Sequence, residues 1–173
     1  PCGCVPQLAN AYVRAAGTLG MAIREATLDD AALLATEFWY PLAKGMEEYS
    51  DLNEISDDAA EHAVDGFERL LESDDHRTFL RDVDGDPIAY VLVELDERPS
   101  RERGRYVDIL DLYVAEPHRG DGHGTALVEH VEALAARDDR DYLTVSAEWE
   151  NQPAREFYRN RDYEPKQITY AKP

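Results

Sequence analysis

With 173 residues and 43% apolar content, the chain is long enough to bury one core and reads as a single folded domain, not a disordered segment. Its 37 acidic residues against 18 basic ones leave a formal charge of −19, which repels phosphate backbones and anionic lipid, so nucleic acid and membrane are not expected partners. No apolar run approaches the length that spans a bilayer, and the sequence has no internal repeat or low-complexity tract.

Residues Pro1 to Gly20 carry one charge, Arg14, in a chain otherwise dense with charge. They lack the basic start and long apolar stretch of a secretory signal. They read as an N-terminal extension outside the fold, with Met21 as the natural start and 21–173 as the domain. Cys2 and Cys4 form a lone C-x-C and are the only cysteines of the sequence. A structural zinc site needs four ligands, so no metal is expected. The missing disulfide framework suits a reducing cytoplasm.

Met21 to Ala26 reads as a short strand. Thr27 with Asp30 resembles a capping box, opening a helix that carries Leu34 and Phe38 on one face. Pro41 is expected to kink or end that helix. Ser56 is the expected cap of a second helix, with Ala60, Val64, Phe67 and Leu71 at helical spacing. Arg77 to Val83 and Ile88 to Leu95 are strand-like, and Asp84-Gly85 between them signals a hairpin. Arg105 to Val114 alternates and reads as a central strand. A helix follows with Leu127, Val128, Val131, Leu134 and Ala135 on one stripe. Tyr142 to Ala147 is a further strand, Pro153 opens a short helix ending near Asn160, and Gln167 to Ala171 is expected to close the chain as a last strand.

The order is thus β-α-α-β-β-β-α-β-α-β. The middle strands form antiparallel hairpins, and the β-α-β unit calls for a parallel pair. This predicts an α/β (α+β) fold, a mixed and mostly antiparallel central sheet flanked by helices.

The charge has two readings. A negative field attracts cationic substrates such as amines, and an acidic surface also keeps proteins soluble in a halophile's cytoplasm. The even spread of acids and the excess of Arg over Lys favour the halophile. At 1 M salt the Debye length is about 3 Å, so long-range steering would be weak.

The strongest chemical signal is Leu112 to Gly124, LYVAEPHRGDGHG. Between a strand and a helix, Arg119, Gly120, Asp121, Gly122, His123 and Gly124 offer a loop whose backbone N–H groups converge on an anion, with a helix dipole behind it. The loop has no Gly-Lys-Ser/Thr and not the glycine spacing of a dinucleotide fingerprint. It resembles motif A of the GNAT N-acetyltransferase superfamily, R/Q-x-x-G-x-G/A, with Arg119, Gly122 and Gly124 in the specified places. Asn151, Ala154 and Tyr158 resemble the same family's N-x-x-A-x-x-x-Y pattern. Without that context, Asn151 reads as a helix cap and Tyr158 as a core residue beside Phe157. The family often continues to Gly-Phe, where this chain has Asp162 and Tyr163. Asp tolerates such a turn, and Tyr163 is expected to serve as the aromatic.

The resemblance covers Met21 to about Ala171 and implies an acetyl-CoA-dependent N-acetyltransferase. It implies that the loop holds the CoA pyrophosphate, that Leu112, Tyr113 and Val114 face the pantetheine arm and the acetyl carbonyl, and that Asn151 and Tyr158 reach the arm and its sulfur. A protonated amine cannot attack a thioester, so a carboxylate is expected as base. Asp111 is preferred for its place beside Leu112-Tyr113-Val114, then Asp108, then Glu148. Strict alternation puts Asp108 and Asp111 on opposite faces unless a bulge intervenes. Tyr158 is the expected acid, and backbone N–H groups near Val114 are expected to polarise the carbonyl.

In the family the first two helices form much of the acceptor wall. Here that region holds Phe38, Trp39, Tyr40, Glu47, Glu48 and Tyr49, which suit a cationic amine but read more simply as core aromatics and acidic surface. Small amines, amino acids and protein N-termini all stay open as acceptors, and so does a homodimer. The rival readings are a non-catalytic acyl-CoA-binding or sensor domain of the same fold and a nucleotide-phosphate binder using the glycine loop.

Overall fold

The structure is a computed structural model that describes residues 20–172. Apart from Gly20, the expected extension lies outside the described residues, as do Cys2 and Cys4.

Strand β1 (Met21–Glu25) leads into a 3-10 turn at Leu28–Asp30. The Asp30 carboxylate accepts the backbone N–H of Thr27 at 2.8 Å, so the capping arrangement forms as its residues predict. Arg24 clasps Asp30 at 2.8 Å and Asp82 at 3.0 Å, tying β1 to the helix and to the next strand. The helix proceeds through α1 (Ala31–Leu33), a wide π turn (Leu34–Trp39) and α2 (Tyr40–Met46). Pro41 therefore does not end it. The widened turn immediately before Pro41 absorbs the missing amide bond, and Pro41 sits in the first turn of α2 where no donor is needed.

Helix α3 (Ala59–Leu71) is capped at Asp58, later than the expected Ser56, whose hydroxyl bonds the Asp58 carboxylate at 2.6 Å. Strands β2 (His76–Val83) and β3 (Asp86–Glu97) form the expected hairpin, with φ of 55° at Asp84 and 93° at Gly85. After β4 (Arg105–Val114) come a 3-10 turn (Glu116–His118), α4 (His123–Arg137), β5 (Tyr142–Val145) and α5 (Gln152–Arg159).

The sheet order is β1-β2-β3-β4-β5, antiparallel through β4 and parallel between β4 and β5. This is the mixed, mostly antiparallel α/β sheet predicted above. The expected last strand does not form: residues 163–172 lie in no helix or strand. Strand propensity needs a ladder partner, and within the expected strand, Gln167 to Ala171, Ile168 and Tyr170 are 64% and 90% exposed.

Each face of the sheet carries its own core. Val91, Val93, Val107 and Ile109 pack against Leu127, Val131 and Leu134 of α4. Leu80, Tyr90 and Leu92 pack against Leu34, Phe38 and Phe67 on the other face. Burying each such aliphatic side chain is worth about 1.5–3 kcal/mol. That packing fixes the start of α4, and hence the glycine loop, against the end of β4.

Candidate active site

Two features of β4 create the site. The parallel ladder ends at Ile109↔Val145, so β4 and β5 part beyond that pair and the β5-facing backbone of 110–114 has no ladder partner. At the same point the register slips: Asp111 pairs with Leu92, and Ile109 pairs with Val93, which leaves Leu110 as an extra residue. The bulge reverses the alternation. Asp108, opposite Glu94, and Asp111, opposite Leu92, fall on the same face, which corrects the strict-alternation expectation.

The opening between the strands holds a cavity of about 320 Å³. Its floor is Ile109 to Leu112 of β4 with Val145, Ser146 and Ala147, and its walls are Trp39, Leu42, Ala43, Met46 and Asn53 on one side and Asn151, Ala154 and Tyr158 on the other. Asp111 is the only carboxylate lining it among the described residues. The Tyr90 hydroxyl, on a side chain with no solvent exposure, donates to Asp111 Oδ2 at 2.9 Å. Burial pushes the Asp111 carboxyl above its ordinary range, and the Tyr90 hydrogen bond opposes that rise.

Asp108 is elsewhere: it accepts from the Thr144 hydroxyl at 2.8 Å and does not line the cavity. Glu148 accepts from Asn53 at 3.2 Å and stands behind the wall.

A second cavity of about 490 Å³ adjoins the first. It runs along Leu112, Tyr113 and Val114 to Arg119, Gly120, Gly122, His123 and Gly124, with Thr125, Phe157 and Arg161 opposite. Gly120 and Gly122 have φ of 90° and 82°, which L side chains rarely adopt, and a Cβ at either would meet no protein atom within 4 Å. The loop is thus a cradle with open space before it. Arg119 is braced by the Val114 carbonyl at 3.0 Å and lies over the Tyr113 ring at 5.5 Å. Arg161 lies 3.8 Å over Phe157 and bonds the Thr125 hydroxyl. Among the described residues the lining holds two arginines and no carboxylate, so the groove fits a polyanion. Asp121, grouped with the loop above, does not line it.

Leu42, Leu112, Ala154 and Tyr158 line both cavities. Asn151 lines the first, and its side chain also caps α5, accepting from the Ala154 N–H at 3.1 Å. Tyr158 is buried, with Phe157 and Tyr163 at 5.1 and 5.5 Å between ring centroids. Burial raises its phenol far above the ordinary value, so it stays protonated. Asp162 takes the left-handed turn at φ 62°, and Tyr163 supplies the aromatic, as expected for the Gly-Phe places.

Tyr90, Trp39, Met46 and Arg161 were not singled out from the sequence as parts of the cofactor or proton site. Trp39 lay in the expected acceptor region, whereas Tyr90 carries no signal there beyond its place in the strand-like run Ile88 to Leu95. Among the described residues no group of three or more His, Cys, Asp or Glu is placed to hold a metal ion, and no helix is long and apolar enough to cross a membrane.

The Acetyltransferase (GNAT) family profile matches residues 38–163, from the helix wall to the aromatic after α5. The chain belongs to the GNAT acetyltransferase family. GNAT enzymes use acetyl-CoA as co-substrate, and acyl transfer, the class implied by the resemblance of the two motifs, is the class of the family and of both curated relatives described next. An uncharacterized N-acetyltransferase of Methanocaldococcus jannaschii is 28% identical over 102 residues, covering 59% of this chain; the match spans only 45% of that relative's length. An uncharacterized N-acetyltransferase of Archaeoglobus fulgidus is 25% identical over 117 residues, covering 68% of this chain and 80% of the relative. The fold matches that of a variant of a Bacillus halodurans protein with a TM-score of 0.79 at 20% identity, covering 88% of this chain and 99% of that one.

Proposed function

We propose that the chain transfers an acetyl group from acetyl-CoA to a primary amine by direct attack in a ternary complex. The observation that carries this reading is the shared wall. A polyanion seated on Arg119 and the glycine loop has its far end at Leu112 and Tyr158, where the chamber with Asp111 begins. The division of charge supports it too: arginines without carboxylates in the groove, a carboxylate without cations in the chamber.

In this reading Gly120, Gly122, His123 and Gly124 present the loop and helix end to the pyrophosphate, and Arg119 supplies charge. Arg161 adds a second cation to the groove. Leu112, Tyr113, Val114 and Asn151 flank the pantetheine arm. Asp111 takes one proton from the ammonium, directly or through water, and the freed nitrogen forms a C–N bond with the thioester carbonyl carbon. Backbone N–H groups of β4 near Val114 meet the negative charge that develops on oxygen. As the C–S bond breaks, sulfur keeps the electron pair and Tyr158 gives it a proton. The second amine proton returns through water to the phenolate, so the products are the amide, free CoA and one released proton. The acid-rich, lysine-poor surface suits a halophile's cytoplasm.

The test is release of free thiol from acetyl-CoA with a panel of primary amines, beside titrations with acetyl-CoA and ATP. The reading expects acetyl-CoA to bind, ATP not to replace it, and thiol to appear in step with acetylated amine. Tight binding without amine-dependent release would mark a sensor domain.

A further inference from the structure

We propose that the acceptor is a primary amine with no carboxylate beside it, carried on a compact apolar body, and that the wall of Trp39, Ala43 and Met46 selects it. The inference rests on the acetyl-transfer reading and narrows its substrate. The residues common to both cavities mark the cofactor end of the chamber, whereas Trp39, Ala43, Met46 and Asn53 line the chamber alone. Trp39, Ala43 and Met46 recur at i, i+4 and i+7, so one helix face presents them together. Ten of the fifteen lining residues are apolar or aromatic without a hydroxyl, so the body of a bound acceptor meets chiefly hydrocarbon.

Of the five polar residues in the lining, Asp111 and Tyr158 are committed to proton transfer, Asn53 and Asn151 are engaged within the protein, and the hydroxyl of Ser146, an exposed residue, is the one left over. Asn53 donates to the Met46 carbonyl at 3.0 Å and to Glu148 at 3.2 Å, and Asn151 caps α5. Among the described residues no Arg, Lys or His lines the chamber, and Lys44, next to Ala43, is turned to Glu47 at 2.9 Å. A free amino acid would bring its carboxylate one carbon from the nucleophile into about 320 Å³ that already holds Asp111. A carboxylate there would lose part of its hydration, find no cation and lie near a like charge, and each of these disfavours it. A hydroxyl-rich amine would leave donors and acceptors unpaired against the same wall. An amine sheds its own charge in order to react, so it escapes both penalties.

The experiment measures thiol release from acetyl-CoA with leucine, leucinamide and 3-methylbutylamine, three acceptors with one side chain, and with glucosamine as a hydroxylated amine. The basicities of the two carboxylate-free amines bracket that of leucine, so amine protonation does not mimic the effect. Leucinamide and 3-methylbutylamine should both exceed leucine in kcat/KM by at least about tenfold. A leucine value within tenfold of the poorer of the two overturns the inference. Turnover of glucosamine with none of the two carboxylate-free amines keeps acetyl transfer and overturns the apolar wall. No release with any of the four, or with a wider panel, in protein that binds acetyl-CoA, overturns acetyl transfer itself and the inference with it.

Discussion

At the scale of single residues, the Asp111–Tyr90 pair separates a chemical role from a structural one. A carboxyl raised by burial is a cost to the fold once it ionises: the stabilising protonated form is lost as pH rises through the raised value. Asp111→Asn should therefore leave Tm at neutral pH unchanged or higher, because the amide oxygen still accepts from Tyr90. Turnover should fall by about 100- to 10,000-fold, the usual span of general base catalysis. Thermal melts and kcat/KM on the same preparation check both halves, and a lower Tm with near-normal turnover would make Asp111 a structural residue. Tyr90→Phe tests the sign of the coupling. The Tyr90 hydroxyl favours the charged carboxylate, so its removal raises the Asp111 value further and the acid limb of the kcat/KM profile should move to higher pH. A limb that stays in place or moves down would show that Asp111 does not set it.

At the scale of elements, the β4–loop–α4 unit is where local chemistry makes the arginine-lined groove proposed for acetyl-CoA. Gly122→Ala and Gly85→Ala form a matched pair: both residues have positive φ, and neither Cβ would meet a protein atom within 4 Å. Each should cost about 1–2 kcal/mol from the left-handed backbone and lower Tm by a similar amount. Only Gly122→Ala, which puts a methyl in the groove, should weaken acetyl-CoA binding, by about tenfold or more as judged by calorimetry. Equal affinities would separate the loop from the cofactor. The loop and the Asn151–Tyr158 spacing were legible in the sequence because they depend on residue types a few places apart. The bulge at Leu110 was not, because it is a count of two residues against one on a neighbouring strand. Nor was the Tyr90–Asp111 bond, which joins residues 21 places apart. The strandless tail at 163–172 was missed for the same kind of reason: propensity describes a segment, and tertiary neighbours decide it.

At the scale of the whole molecule, a charge of −19 repels itself, and the arginines of the groove sit in that field. The Debye length falls from about 10 Å at 0.1 M salt to about 3 Å at 1 M, so Tm should rise with KCl over that range. A Tm that falls with salt would mean that attractive ion pairs such as Arg24 with Asp30 and Asp82 outweigh the net repulsion. In the proposed reaction groove and chamber act as one site, with Tyr158 among the residues that line both. The most direct measurement is kcat and acetyl-CoA affinity for Tyr158→Phe, with an acceptor for which chemistry limits the rate. If the hydroxyl acts on the departing sulfur, kcat falls by about 100- to 10,000-fold with nearly unchanged affinity. A kcat within about threefold of the parent enzyme would contradict it and leave Tyr158 as a packing residue between Phe157 and Tyr163.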